Sequence, residues 1–167
     1  MSKYQTMWNY LVFLCKSKNE HGVHSPFVFQ YLTKGLYKRR LEEKSIQMNE
    51  KWLMYTLDYF SPKSVYWYDH FFNQLLNKWK VVYSKDSHEA DVLIFNLKNK
   101  QNIERVEELV LSLQAHQILL LIHCKEARNL VKKLKRNPNI TLTLDFFDNV
   151  LVSKRIEQKK QNFNLRF

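Results

Sequence analysis

The chain has 167 residues, of which 45% are apolar, and this is enough to build one domain with a full-sized core, so we predict a single domain over 1–167. Lysine and arginine outnumber aspartate and glutamate by 27 to 16, and the net charge of +11 favours a polyanionic partner such as RNA, DNA or an anionic membrane surface. The longest amino-terminal apolar stretch, 10–15, is too short to cross a bilayer, so we expect a cytoplasmic protein without membrane insertion.

Glycine and cysteine are both scarce, with two residues of each. Gly22 and Gly35 do not follow a predicted core strand, which excludes a nucleotide cofactor held in a standard glycine-rich loop. Cys15 and Cys124 lie inside apolar runs and lack metal-ligand spacing, so we predict buried free thiols.

Three helices are predicted in the amino-terminal part, 1–62. Apolar residues at helical spacing predict a helix over about 4–17, which we expect to pack on the sheet or on a partner. Ser25 is a good N-cap and Pro26 suits the first helical position, so a second helix should run over about 26–39. A third helix is predicted over about 45–60, ending before a proline.

From residue 63 to the end, short apolar runs alternate with helical patterns, which is typical of a layered α/β fold. Strands are predicted at 65–68, 81–83, 92–95 and 118–122, and helices at 71–78, 103–113 and 125–136. The alternating run 140–144 and the run 150–152, which follows a turn through Asp148 and Asn149, predict an antiparallel hairpin, and we expect these two strands to close the chain. The sheet should therefore be mostly parallel and end in an antiparallel hairpin.

Segments at both ends of the chain resemble one bacterial family. His21–Phe29, with the sequence HGVHSPFVF, is similar to the amino-terminal signature of a family of class I S-adenosylmethionine-dependent methyltransferases. Thr143–Asp148 and Lys160–Phe167 are similar to the closing hairpin and tail of the same family. The resemblance implies a three-layer Rossmann-like methyltransferase fold, with the helices of 1–62 as an amino-terminal extension on a core formed by 63–167.

The positions that would bind the cofactor depart from that family's pattern. Asp69–Phe72 stands where the family has a glycine-rich turn, and its bulky side chains are expected to plug the pocket. The ribose-binding carboxylate has only a displaced candidate, Asp86. The eight residues 84–91 are too few for a helix and a strand, so one βα unit is predicted to be missing. Asn96 and His123 replace further acidic residues, and we therefore expect methyltransferase ancestry without activity and without a bound cofactor.

Several of these residues share one predicted edge of the sheet. Asp69, Asn96 and His123 follow parallel strands, at the edge where open α/β sheets bind ligands. We interpret them as relics of an active site, with acid and base chemistry as the alternative. His21 and His24 lack partners for a metal site, and we predict that a histidine and Ser25 cap the following helix.

A basic helix is the candidate polyanion-binding surface. Lys125, Arg128, Lys132 and Arg136 recur at spacings of three, four and four, which predicts one exposed stripe able to contact phosphates. A solvated helix face is the alternative interpretation. Further positive charge lies near the carboxyl terminus, at Lys154, Arg155, Lys159, Lys160 and Arg166.

Three hypotheses follow for the function. The leading one is a degenerate methyltransferase-like protein acting as a basic binding or assembly module for RNA, a ribonucleoprotein or an acidic protein. The second is an active but atypical methyltransferase that holds S-adenosylmethionine through Asp69, Asp86 and Asn96. The third is a structural subunit of a homo-oligomer or larger complex. For the first helix, flanked by Lys3, Lys16 and Lys18, a position on a membrane surface is the alternative to packing.

Overall fold

The computed structural model describes residues 3–37, 47–68, 82–155 and 159–167. Its helices are α1 (Lys3–Lys16), α2 (Pro26–Gln30), α3 (Met48–Phe60), α4 (Lys100–Ser112) and α5 (Arg128–Arg136). A 3-10 turn, Glu20–Gly22, precedes α2, and a π-helical segment, Tyr31–Tyr37, continues it. Its strands are β1 (Ser64–Trp67), β2 (Val82–Tyr83), β3 (Val92–Asn96), β4 (Ile118–Ile122), β5 (Leu142–Asp145), β6 (Asn149–Ser153) and β7 (Gln161–Asn164).

These elements form an α/β fold with one seven-stranded sheet in the order β2-β1-β3-β4-β6-β5-β7. The strands β2, β1, β3 and β4 pair in parallel, which confirms the mostly parallel sheet. β6 is antiparallel both to β4 and to β5, so the predicted closing hairpin is also confirmed. In the sheet, the second strand of the hairpin, β6, lies next to β4, and the first strand, β5, lies on the far side of β6.

The central strands β3 and β4 are near-continuous apolar runs, as expected where both faces of a sheet are covered. Successive side chains of a strand point to opposite faces, so Val92 and Ile94 join one core while Leu93 and Phe95 join the other. The first core lies under the amino-terminal helices and contains Tyr31, Leu32, Trp52, Leu53 and Leu57. The second lies under α4 and α5 and contains Val106, Val110, Leu130, Val131 and Leu134.

The helix predicted from residue 26 changes its winding after Gln30, where α2 gives way to the π-helical segment. Gly35 lies in this segment, and a Cβ there would come within 3.1 Å of the Tyr59 ring on α3, so the absent side chain permits the close approach. Ser25 does occupy the N-cap position, but its side chain makes no capping hydrogen bond. The predicted capping role of its hydroxyl is therefore wrong.

β7 was not predicted, and the expectation that two strands close the chain is wrong. Its sequence, QNFN, lacks the β-branched residues that indicate a strand. The strand forms because the backbone of the tail pairs in parallel with β5, and the Leu165 amide donates to the Asp145 carbonyl at 2.8 Å. Backbone pairing of this kind depends on a neighbour and leaves little trace in side-chain pattern.

The connection from β2 to β3 is short, as predicted. Residues 84–91 contain one turn and neither a helix nor a strand. Gln117 holds this connection, because its Nε2 donates to the carbonyls of Ser87 at 2.7 Å and Ala90 at 2.8 Å. The predicted helix 71–78 and the residues Asp69–Phe72 lie outside the described residues.

α1 corrects two predictions. Phe13 is buried, but the other large apolar side chains from Tyr4 to Val12 are exposed, so this helix does not pack its apolar stripe on the sheet, and packing on a partner stays a prediction. Cys15 is exposed as well, whereas Cys124 is buried as expected. None of the helices in the described ranges is long and apolar enough to span a bilayer.

Candidate functional site

The carboxyl ends of β3 and β4 meet at one edge of the sheet. Asn96 ends β3 opposite Ile122 of β4, and His123 follows directly. The structure therefore brings Asn96 and His123 to the same edge, as their positions in the sequence predicted. Asp69, the third residue expected there, lies outside the described part of the chain.

Polar side chains from two other segments of the chain lie around His123. Asn49, in the first turn of α3, donates from Nδ2 to the His123 Nδ1 at 3.0 Å and to the Asp148 Oδ2 at 2.8 Å. Asn149, the first residue of β6, donates from Nδ2 to the Asn49 Oδ1 at 3.2 Å. We call these four residues, Asn49, His123, Asp148 and Asn149, the edge cluster.

The edge cluster determines which nitrogen of His123 carries the proton. An ionised Asp148 only accepts, so it must face the amide nitrogen of Asn49, and the amide oxygen is then left to receive Asn149. The same amide nitrogen faces the His123 Nδ1, which must therefore accept. The neutral ring carries its hydrogen on Nε2.

Electrostatics favour this neutral form. Burial lowers the pKa of His123, the nearby charge of Lys98 lowers it further, Asp148 opposes and Lys125 adds to the lowering. The Asp148 carboxylate is 4.0 Å from Nδ1, too far for a hydrogen bond. At neutral pH His123 is thus a hydrogen-bond donor through Nε2, and its Nδ1 is already occupied by Asn49.

The remaining polar groups at this edge hold loops together. The Asp148 Oδ1 accepts the Lys125 amide at 3.1 Å, and its carbonyl accepts the Cys124 amide at 2.8 Å. The Asn96 Oδ1 accepts the Lys98 amide at 3.1 Å. The two bonds to Asp148 tie the segment after β4 to the β5–β6 turn. His123, in the segment after β4, adopts a left-handed φ of 60°. The edge cluster therefore holds α3, the segment after β4 and the β5–β6 turn together.

Sequence reasoning missed Asn49, Asp148 and Asn149 as members of this site. Asp148 and Asn149 were assigned to the hairpin turn, and Asn49 lies in a helical pattern that carries no functional signal. Asp86, the displaced candidate for ribose binding, lies in an exposed turn, where its Oδ1 accepts the His88 amide at 2.8 Å. Within the described ranges, no hydrogen bond or ion pair joins Asp86 to the edge cluster.

A second polar feature is a groove of about 530 Å³ between α1 and α5. Its lining includes four cations and one acid, Lys16, Arg128, Lys132, Lys135 and Glu126. Under the groove lies Asp145, which is fully buried on β5. The groove is therefore positive at its mouth and has a buried carboxylate at its base.

Asp145 binds two of the cations that line the groove. Arg128 donates to both oxygens of the carboxylate, at 3.0 and 2.5 Å, and Lys135 donates to Oδ2 at 2.5 Å. The Phe147 amide donates to Oδ1 at 2.9 Å. Burial alone would raise the pKa of Asp145, but the hydrogen bonds and charges of Arg128 and Lys135 outweigh it, and the pKa is lowered.

This ion network corrects the predicted basic stripe. Arg128 turns inward to Asp145 and lies over the ring of Phe147 at 5.1 Å, so it is not on an exposed stripe. Lys125 precedes α5, which begins at Arg128, and is not on the helix. The outward face of α5 instead carries Lys132, Lys133 and Arg136, all exposed, with Lys133 paired to Glu107 at 2.6 Å.

Two of the other predicted basic residues contact groups away from α5. Arg155 lies over the Phe27 ring at 4.2 Å, and Arg166 donates to Ser17 and to the Leu14 carbonyl. Lys160 donates to the Asn137 carbonyl, close to the end of α5. Lys154 is half-buried and Lys159 is exposed.

The histidines near the amino terminus occupy a turn and the loop after it. His21 lies in the 3-10 turn and His24 is exposed in the loop before α2. Within the described ranges, no group of three or more histidine, cysteine or acidic residues is placed to hold a metal ion.

Comparison with known proteins finds no family model, no curated protein and no solved structure that matches the chain. The family resemblance in the terminal segments consequently stays a prediction.

Proposed function

We propose that the chain is a degenerate methyltransferase-like domain that binds a partner through its basic surface and does not catalyse methyl transfer. The strand order supports the assignment of the fold. Four parallel strands followed by a hairpin whose second strand lies against β4 is the arrangement expected of a Rossmann-like methyltransferase core with one βα unit missing. The absence of a helix and a strand from 84–91 is compatible with that missing unit.

The observation that carries the proposal is the use of polar groups at the ligand-binding edge. Asp148, the acidic residue of the edge cluster, accepts a hydrogen bond from within the protein at each of its oxygens, which favours a structural role over binding of ribose hydroxyls. A base needs a free acceptor nitrogen, but the His123 Nδ1 accepts from Asn49. The hydrogen bonds of the edge cluster therefore favour a structural role for these residues over cofactor binding or acid-base catalysis.

The binding role rests on charge. Lys132 and Arg136 are exposed four residues apart on α5, and no ion pair joins either to a residue in the described ranges. Together with the net charge of +11, they favour RNA, a ribonucleoprotein or an acidic protein as the partner. Arg128 and Lys135 bind the buried Asp145 carboxylate and are not part of this surface.

Calorimetry with S-adenosylmethionine tests the inactive assignment. We expect no heat of binding, and micromolar affinity would instead favour the active but atypical methyltransferase. The second test measures binding of a single-stranded RNA oligonucleotide against salt concentration. Lys132→Gln with Arg136→Gln should reduce the slope of log K against log salt by about 1.4, because each phosphate contact contributes about 0.7.

Matched controls make the RNA test specific. Lys34→Gln with Lys63→Gln removes two exposed charges from elsewhere and should leave the slope nearer to that of the wild type. Equal slopes for both double variants would remove α5 from the interface. A chain that binds no RNA but elutes as a stable assembly would favour the structural-subunit hypothesis.

A further inference from the structure

α1 presents an apolar face to solvent. At about 100° per residue, six of its exposed apolar side chains cover an arc of about 140°, on the side opposite the buried Phe13, while Tyr10, 44% exposed, lies outside this arc. The members of this outward face are Tyr4, Met7, Trp8, Leu11, Val12 and Cys15. Tyr4 is 79% exposed and Trp8 is 66% exposed, so two of the largest side chains of the helix face solvent.

The orientation of α1 is held by specific contacts on its other side. The rings of Tyr10 and Phe13 lie 4.9 and 5.4 Å from the ring of Phe147. At the end of the helix, the Lys18 amide donates to the Asn164 carbonyl at 2.8 Å, and Arg166 donates to the Leu14 carbonyl at 3.1 Å. These contacts hold the outward face towards solvent. A helix of a globular protein normally carries charged and polar residues on its solvent side.

The chemistry of this face indicates what covers it. α1 contains no aspartate or glutamate, and Lys16 and Lys18 are exposed at its carboxyl end. Tyrosine and tryptophan, with an apolar body and a polar tip, favour the boundary between lipid headgroups and acyl chains. A strongly basic chain with such a helix is complementary to an anionic lipid surface.

We infer that α1 lies in the plane of an anionic membrane surface, with Trp8 and Leu11 in the acyl boundary and Lys16 and Lys18 at the lipid phosphates. A second copy of the chain fits less well, because facing copies of α1 would bring their lysines together with no acid on either helix. RNA would leave the apolar side chains uncovered. This inference uses no residue of α5 and does not depend on the proposed function.

Co-sedimentation with vesicles tests the inference. The full chain is mixed with vesicles of phosphatidylcholine and phosphatidylglycerol at a ratio of about 7:3, and with vesicles of phosphatidylcholine alone. We expect binding to the anionic vesicles at least about tenfold tighter, since two lysines contribute near the surface. Equal binding to both compositions, or to neither, would overturn the inference.

A matched pair of leucines isolates the apolar contribution. Leu11→Ala on α1 should weaken binding to the anionic vesicles about tenfold, because three buried carbon atoms are lost from the acyl boundary. Leu111→Ala makes the same change at a 69% exposed leucine on α4 and should leave binding unchanged. Equal effects of the two variants would contradict a role for the outward face. RNA binding should be the same in both variants, which separates this test from that of the proposed function.

Cys15 supplies a reporter within the outward face. Cys124 is buried and burial raises the pKa of its thiol, so a maleimide should react with Cys15 selectively in the folded chain. Anionic vesicles should slow this alkylation severalfold, and RNA should not. Light scattering then distinguishes a protein partner. A dimer in the absence of vesicles that Trp8→Asp dissociates would assign the face to a second copy and overturn the inference.

Discussion

Replacing Asp145 by asparagine should destabilise the fold strongly. Asp145 is fully buried, and the Arg128 and Lys135 side chains that it binds are only 15% and 22% exposed. Asp145→Asn preserves the shape of the side chain but leaves two largely buried cations without a counter-charge. Removing one partner of a buried ion pair costs about 3–5 kcal/mol, which is a large part of the roughly 5–15 kcal/mol that stabilises a folded domain.

Urea unfolding followed by circular dichroism measures the loss. With a slope of about 2 kcal/mol per molar urea, the midpoint should fall by about 1.5–2.5 M. Glu107→Gln is the control, because it breaks the exposed pair with Lys133, whose side chains are 67% and 42% exposed for lysine and glutamate, and should cost less than about 1 kcal/mol. Adding Arg128→Met and Lys135→Met to Asp145→Asn should recover stability, since the unpaired charges are then gone.

The same substitution should change the acid limb of stability. Because the folded-state pKa of Asp145 is lowered, its contribution is present above the unfolded pKa of about 3.9 and is lost as pH falls through the folded value. The wild type should therefore lose more free energy of unfolding below about pH 4 than the variant. A cost below about 1 kcal/mol at neutral pH, with an unchanged acid limb, would refute this account of the ion network.

Three further substitutions test other parts of the structure. In His123→Asn, the new asparagine tolerates the left-handed backbone at this position. Because the folded-state pKa of His123 is lowered, the wild type should lose stability as pH falls below about 6.5, and the variant should lose less. A His123 resonance titrating at or above about 6.5 by NMR would contradict this. Tyr31→Phe removes the buried hydroxyl 2.7 Å from the Thr56 Oγ1 and should cost about 1 kcal/mol in urea unfolding, and no measurable cost would argue against that bond. Gln117→Leu leaves the Ser87 and Ala90 carbonyls unpaired and should cost about 2 kcal/mol and speed proteolysis of 84–91; unchanged cleavage would show that Gln117 does not hold that connection.

Much of the fold could be predicted because its determinants are local. β3 and β4 are near-continuous apolar runs, which is typical of strands covered on both faces. The hairpin was predicted from alternation and a turn, and the short connection 84–91 from residue count alone. β7 could not be predicted in this way, because a polar edge strand depends on the backbone of β5 beside it.

The candidate site was less predictable because its bonds join distant residues. Asn96 and His123 were placed at one edge from their strands, but Asn49 contacts His123 across 74 positions and Asp148 across 99. The spacing of Arg128 predicted a place on an exposed stripe, because the sequence does not show that Asp145 lies beneath α5 and binds it. The predicted plug at Asp69–Phe72 stays a prediction.

α1 shows which features the sequence determines and which depend on the tertiary structure. The sequence by itself predicted a helix over about 4–17 with one apolar side, because the spacing of side chains on a helix is set by the backbone. Only the tertiary structure decided that Phe13 contacts the body of the protein while Trp8 faces outward. Local periodicity defines the faces of a helix, but the surface that covers each face is a property of the neighbours, and neighbours are brought together by long-range folding.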